Sequence, residues 1–181
     1  MATEEPQYTV IRTNAVFEVR CYKPYLMSET VANAAPEDAG REGFRILAWY
    51  IFGTNKGARK IEITAPLAQA PVRIPMTTPV AQSPVSGGYV IRFAMFREWS
   101  LDTLPEPLDS RVALREVPAQ KLASMGHSGP WSQSRHEENL KKLQDALAEA
   151  GLAWRGEPMW ARYGPPWKPW FLRRNEIWLT L

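Results

Sequence analysis

With 181 residues, 45% of them apolar and 23% charged, the chain can bury a substantial core as one domain rather than remain a disordered tail. Its formal charge of +3 comes from 22 scattered basic residues set against 19 acidic ones, so the massed positive patch of a nucleic-acid binder is missing and no nucleic-acid partner is expected. A single cysteine, Cys21, excludes an internal disulfide, and no stretch approaches the ~20 apolar residues of a membrane span.

The N-terminus, Met1-Ala-Thr-Glu-Glu-Pro6, has no basic n-region and no apolar h-region. A soluble cytoplasmic protein is expected, or one from which a leader has been removed. After a first extended run at Tyr8-Thr-Val, Phe17, Val19 and Cys21 alternate with Glu18, Arg20 and Tyr22, the pattern of a strand with one buried face. Pro24 marks a turn and residues 25–31 a second strand. Ala35-Pro36-Glu37-Asp38 then opens a helix with proline in its first turn and acids at its positive end, and Gly53 stops it. Strands follow near residues 74–80 and 89–96, with another around residues 60–64.

The same order returns after Pro105-Glu106-Pro107. Residues 112–117 form a strand, Pro118 a turn, and residues 120–125 another strand. Ser134 and Glu137 have capping-box spacing, the helix runs to Gly151, and strands near residues 157–162 and 175–181 finish the chain. Val19-Arg20-Cys21-Tyr22-Lys23-Pro24 overlays Leu114-Arg115-Glu116-Val117-Pro118-Ala119, so two halves, about residues 8–98 and 110–181, each read strand, strand, helix, strand, strand. The expected product is one α+β domain over residues 1–181, a pseudo-two-fold barrel. Its ligand cleft is expected where a helix, the loop after it and the C-terminal strand meet.

Four motifs are more particular. They are Phe44-Arg-Ile-Leu-Ala-Trp-Tyr50-Ile-Phe-Gly53-Thr-Asn55, Ile63-Thr64-Ala65-Pro66-Leu67, Met76-Thr77-Thr78-Pro79-Val80, and Tyr163-Gly-Pro-Pro-Trp167-Lys-Pro-Trp170-Phe-Leu-Arg173-Arg174-Asn175-Glu176-Ile177. In that order, and with the opening Tyr8 and Phe17 strands, they make the chain resemble a bacterial member of the SOUL heme-binding protein family over nearly its whole length. The resemblance implies a distorted antiparallel β-barrel flanked by two helices. It also implies non-catalytic, non-covalent binding of heme or a related tetrapyrrole, as a carrier, buffer or sensor.

The two helices differ in chemistry. Leu140, Leu143 and Leu147 form one stripe on the second, with Glu137, Glu138, Lys141, Lys142 and Asp145 around it, as for a helix buried on one side. The first has a stripe of Phe44, Leu47, Ala48, Ile51 and Phe52, yet Ile46, Trp49 and Tyr50 lie on its other sides and need cover. Either a loop such as the proline-rich C-terminal segment lies over Trp49 and Tyr50, or a planar apolar ligand does. Arg41 and Arg45, one turn apart, would flank such a ligand and fork onto its carboxylates, and a tetrapyrrole with propionates meets both demands. The expected heme-binding set is Arg41, Phe44, Arg45, Ala48, Trp49, Arg59, Lys60, Met76, Trp170, Phe171 and Glu176. The loop after Gly53 lacks phosphate-cradle spacing.

His127 is the tentative axial ligand to iron, whereas His136, on the face of Leu140, reads as a partly buried histidine that hydrogen-bonds its surroundings. Cys21, Met76, Met95 and Tyr163 are formal alternatives. The lone cysteine excludes covalent heme attachment, and no histidine pair has metal-ligand spacing. There is no G-x-S-x-G. Glu176 either pairs with an arginine and pins the barrel closed, or, buried beside Tyr163 or Trp170, binds a cationic ligand or acts as a general base. The duplicated plan resembles more distantly the bacterial effector-binding domains, which place a glutamate in their ligand cleft and include a few hydrolases. Three readings stand in order: tetrapyrrole binding, a sensor or sequestering module for flat cationic aromatics, and a hydrolase using Glu176.

Overall fold

A computed structural model describes residues 5–56, 80–85, 88–128, 133–163 and 174–181. The elements are β1 (Tyr8–Thr13), β2 (Glu18–Tyr22), β3 (Tyr25–Ala32), α1 (Pro36–Ile51), β4 (Val80–Val85), β5 (Gly88–Ala94), β6 (Ala113–Val117), β7 (Gln120–His127), α2 (Gln133–Glu149), β8 (Arg155–Tyr163) and β9 (Arg174–Thr180). They form one sheet in the order β1-β2-β7-β9-β8-β4-β5-β3-β6, with every described pairing antiparallel. Leaving β1 aside, that order maps onto itself when the halves are exchanged: β2 with β6, β7 with β3, β9 with β5, β8 with β4. The expected pseudo-two-fold α+β plan is observed, with the described strands forming one antiparallel sheet curled as a half-barrel rather than closed.

Both helices cover the same face. α1 lies on β3 and β5, burying Leu47 and Ile51 against Ile91 and Phe93, and α2 lies on β7 and β9, burying Leu143 and Leu147 against Ala123, Met125, Ile177 and Leu179. Each fully buried leucine contributes about 2 kcal/mol. Gly43 sets how closely α1 approaches, since a Cβ there would stand 2.2 Å from Ile91 Cγ1. Gly53, at φ 123°, ends the helix as expected.

Two expectations shift. The strand expected near residues 74–80 lies, apart from Val80, outside the described residues, as does the one around residues 60–64, and β4 at Val80–Val85 is an addition to the expected elements. Gln82, Ser83 and Pro84 hide that strand from a hydrophobic pattern. Pro84 fits because β8 pairs β4 only as far as Gln82, leaving that stretch with a single partner, β5. In α1, Ile46 and Tyr50 are core residues and Phe52 is not. The connection between β5 and β6 supplies the cover: Leu104 joins the α1 core, Tyr50 donates its hydroxyl to the Pro105 carbonyl at 2.9 Å, and Lys56 N donates to Glu106 O at 2.8 Å.

The face away from the helices is held by charge. Glu176 of β9, 2% exposed, accepts Nη1 (2.8 Å) and Nη2 (3.2 Å) of Arg20 on β2, Oγ of Ser124 on β7 (3.1 Å), the hydroxyl of Tyr163 on β8 (3.0 Å), Nε1 of Trp178 (2.7 Å) and Nε of Arg174 (2.8 Å). One carboxylate thereby joins four consecutive strands. The guanidiniums also stack on tyrosines, Arg20 over Tyr8 at 4.5 Å and Arg174 over Tyr163 at 4.0 Å. The other half also holds a carboxylate between two arginines, on a strand not equivalent to β9. Glu29 of β3 accepts Arg92 of β5 at 3.2 Å and Arg115 of β6, and Arg115 is the residue that overlays Arg20 in sequence.

Burial alone would push the Glu176 carboxyl up, but hydrogen bonds and charge from Arg20, with hydrogen bonds from Trp178 and Arg174, outweigh it and hold the group below its ordinary value. Burial pushes the Tyr163, Tyr22 and Tyr50 phenols up. A depressed carboxyl stabilises the fold fully above its ordinary value of 4.5, and that stability is lost as pH falls through the folded value. Raised phenols act in the opposite sense, with stability complete below the ordinary 10.0 and declining above it. Urea unfolding across pH is therefore expected to show a plateau between about 7 and 10 that falls on both sides, the acid limb beginning with His127, whose folded value is also depressed, and continuing with Glu176. At pH 7, Glu176→Ala should lose about 3–5 kcal/mol, because it leaves the buried Arg20 with Glu18 alone and removes the acceptor of Ser124, Tyr163 and Trp178, against about 1 kcal/mol for Ser124→Ala. Gly43→Ala should cost about 1–3 kcal/mol by forcing α1 off β5.

Candidate functional site

The outward surface of α1 carries large apolar side chains that the described residues leave uncovered. Trp49 is 53% exposed and Phe52 61% exposed, one turn apart. Arg45 lies with its guanidinium 5.9 Å from the Trp49 ring centre, at the outer limit of a cation–π contact. Arg41, on the turn before, makes a 3.4 Å contact with Asp38, and both side chains are mostly in solvent. A long hydrated pair of this kind holds its arginine weakly, so the guanidinium can exchange partners at little cost. An exposed apolar pair edged by two solvated cations can stack a flat apolar body and grip acidic groups at its rim.

The expected site residues separate. Arg41, Arg45 and Trp49 come together on this surface. Phe44 and Ala48 turn inward, Phe44 packing on Phe93 with ring centres 5.4 Å apart and Ala48 buried in the core. Arg59, Lys60, Met76, Trp170 and Phe171 lie outside the described residues. Phe52 was assigned to the buried stripe. It stands one turn beyond Trp49 at the C-terminal cap of α1, where the helical pattern no longer dictates which way a side chain turns, and only the cover over Tyr50 reveals its exposure.

Glu176 faces away from both helices. Its seven contacts from Arg20, Arg174, Ser124, Tyr163 and Trp178 occupy both oxygens, and its depressed pKa makes it a poor proton acceptor. The bidentate pair with Arg20 removes the general-base reading. A cationic ligand would likewise meet a carboxylate already neutralised by two guanidiniums. Around it, Tyr22, Leu122, Ala161, Tyr163 and Trp178 close into a third apolar cluster, with Tyr8 and Tyr25 packed against it.

His127 ends β7, and β7 is separated from β5, on which α1 lies, by β9, β8 and β4, roughly 19 Å across the sheet. It is not brought to α1. Instead its ring meets His136 of α2, centres 5.7 Å apart, and His136 in turn meets Trp160 at 5.9 Å. Burial, with the nearby His136, holds the His127 imidazole below its ordinary value. The absence of metal-ligand spacing in sequence thus conceals a pairing in space. Of the other formal iron ligands, Met95 is buried beneath α1, Tyr163 serves Glu176, and Cys21 is a half-buried strand residue.

A cavity of about 550 Å³ opens away from the expected place, where the β2–β3 turn meets the chain leaving β5. Tyr25, Leu26, Phe96 and Trp99 line it, with Lys23 at its rim. Its volume falls in the range of small-molecule sites.

Among curated proteins, none matches the chain. Solved structures share its fold at low identity. A hydrolase from Listeria innocua superposes with a TM-score of 0.58 at 12% identity, covering 94% of both chains. The C-terminal domain of EcmrR gives 0.60 at 10% identity over 96% of both, and EcmrR in a DNA complex gives 0.61 at 9%, covering 89% of this chain and 55% of that one. At these identities the likeness establishes architecture alone. The sequence pattern of the SOUL heme-binding proteins matches residues 3–180, nearly the whole chain, and on that match the protein belongs to the SOUL heme-binding protein family.

Proposed function

We propose that the protein binds heme or a related tetrapyrrole non-covalently on the outer surface of α1, as a carrier, buffer or sensor rather than as a catalyst. The observation that carries this reading is the pairing of Trp49 and Phe52, each more than half exposed, with Arg41 and Arg45 on one helix face. Trp49 and Phe52 provide the stacking surface, while Arg45 and Arg41 provide donors for propionates at its edge. Phe44 and Ala48 support it from beneath.

Bound heme would supply the iron and its Soret chromophore. The chain's own residues supply apolar contact and charge, and no described histidine stands on this helix face. Binding of this kind leaves axial positions exchangeable, which suits transport or buffering of the cofactor. Family membership supports the ligand class, and the α1 surface supports the seat.

Titration of the purified protein with hemin should give a saturable Soret shift at low micromolar concentration. Trp49→Ala should weaken it about tenfold, as expected for one lost aromatic contact of about 1.4 kcal/mol. The double substitution of Arg41 and Arg45 by Ala should weaken it by a similar factor, and more at low salt than at high salt. Wild-type affinity in both variants would move the seat elsewhere, and loss in Trp99→Ala or Lys23→Ala would place it in the 550 Å³ cavity. No saturable shift in the wild type would end the tetrapyrrole reading altogether.

A further inference from the structure

The chain has two histidines, nine positions apart, and the fold sets them ring against ring. His127 is carried out to the end of β7 and His136 sits on the first turns of α2, facing the sheet between that strand and Trp160 of β8. A cation about 2.1 Å from an imidazole nitrogen lies about 3.2 Å from that ring's centre. Two rings sharing one cation therefore have centres about 5.2 to 6.4 Å apart, from a tetrahedral to a linear ligand angle. The observed 5.7 Å falls inside that interval.

A second observation comes from Trp160. Its Nε1–H is buried and has no hydrogen-bond partner among the described residues, which costs about 1–3 kcal/mol. The ring lies 5.9 Å from that of His136, so an acceptor held beside the histidines would relieve it. Water or hydroxide on a cation is such an acceptor. Among the described residues no group of three or more His, Cys, Asp and Glu side chains could hold a metal, so a cation here would keep open positions for solvent or an exogenous ligand.

We propose that His127 and His136 form a binding site for a divalent transition-metal ion, with the Trp160 indole donating to the water or anion that completes its coordination. Two imidazoles without a thiolate or carboxylate favour Cu²⁺, then Ni²⁺ and Zn²⁺, over Mg²⁺, Ca²⁺ or Mn²⁺. The site lies under α2, in the other half of the sheet from the α1 surface, and does not rest on tetrapyrrole binding.

The test is calorimetric titration of the heme-free protein with CuCl₂, NiCl₂, ZnCl₂ and MgCl₂, with tryptophan fluorescence followed in parallel. One equivalent of Cu²⁺ should bind and quench part of the emission through Trp160, with Ni²⁺ and Zn²⁺ weaker and Mg²⁺ absent. His127→Ala, at the half-exposed end of a strand, should fold as the wild type by circular dichroism and lose affinity by about 100-fold. Trp160→Phe should keep the one-to-one stoichiometry and lose about tenfold, the usual consequence of removing an outer-shell donor. His136→Ala should behave as His127→Ala where it folds. No saturable Cu²⁺ binding by the wild type, or wild-type affinity in His127→Ala, overturns the site.

Discussion

A carboxylate taken out of water has to be paired, and in this protein that requirement organises half of the sheet. Glu176 draws Arg20, Ser124, Tyr163 and Arg174 onto one point, so that β2, β7, β9 and β8 share a side-chain network as well as a backbone ladder. Charge alternates outward from it, Glu18 to Arg20 to Glu176 to Arg174 to Glu5, ending at the solvated rims. Each guanidinium is stacked on a tyrosine as well as hydrogen-bonded, which limits its freedom to leave. The other half of the sheet has a simpler cluster in Glu29 between Arg92 and Arg115, more open to solvent and, among the described residues, without tyrosine stacks. The pseudo-two-fold therefore relates Arg20 to Arg115 but not the two carboxylates, since Glu176 is on β9 and Glu29 on β3.

That inequality bears on function. The Glu176 carboxylate is consumed by the protein's own donors, and the surrounding aromatic side chains pack on one another. Among the described residues, the exposed aromatic side chains of α1 lie on the opposite face of the sheet. α1 is buried more broadly than α2, since the β5–β6 connection folds over its flank and takes in Ile46 and Tyr50. The remaining strip, Arg41, Arg45, Trp49 and Phe52, combines large apolar area with cations that have no strong intramolecular partner in the described residues. The pair of histidines under α2 is a separate resource, in a half of the molecule where the helix otherwise serves as scaffold.

Much of the architecture was legible because it rests on short-range periodicity. The alternation through Phe17, Val19 and Cys21, the leucine stripe of α2 and the stop at Gly53 each follow from geometry within a few residues. So did the overlay of Arg20 on Arg115, which the structure renders as two arginines holding two glutamates. The strand at Val80–Val85 was missed because a proline and two polar residues occupy it, tolerated where one neighbouring strand has already stopped.

The alternation of strands and helices and the aromatic and basic character of α1 were determined by the sequence alone, since each depends on local spacing and composition. Only the tertiary structure decided which polar groups meet. Glu176 lies 156 positions from Arg20, and no pattern within one strand foretells a partner on another. Likewise, Tyr50 is buried and Phe52 exposed because residues 104–106 return across one side of the helix, and His127 faces His136 because a strand end and a helix start converge there. Packing between distant segments sets these contacts, and it is the property that local periodicity does not encode.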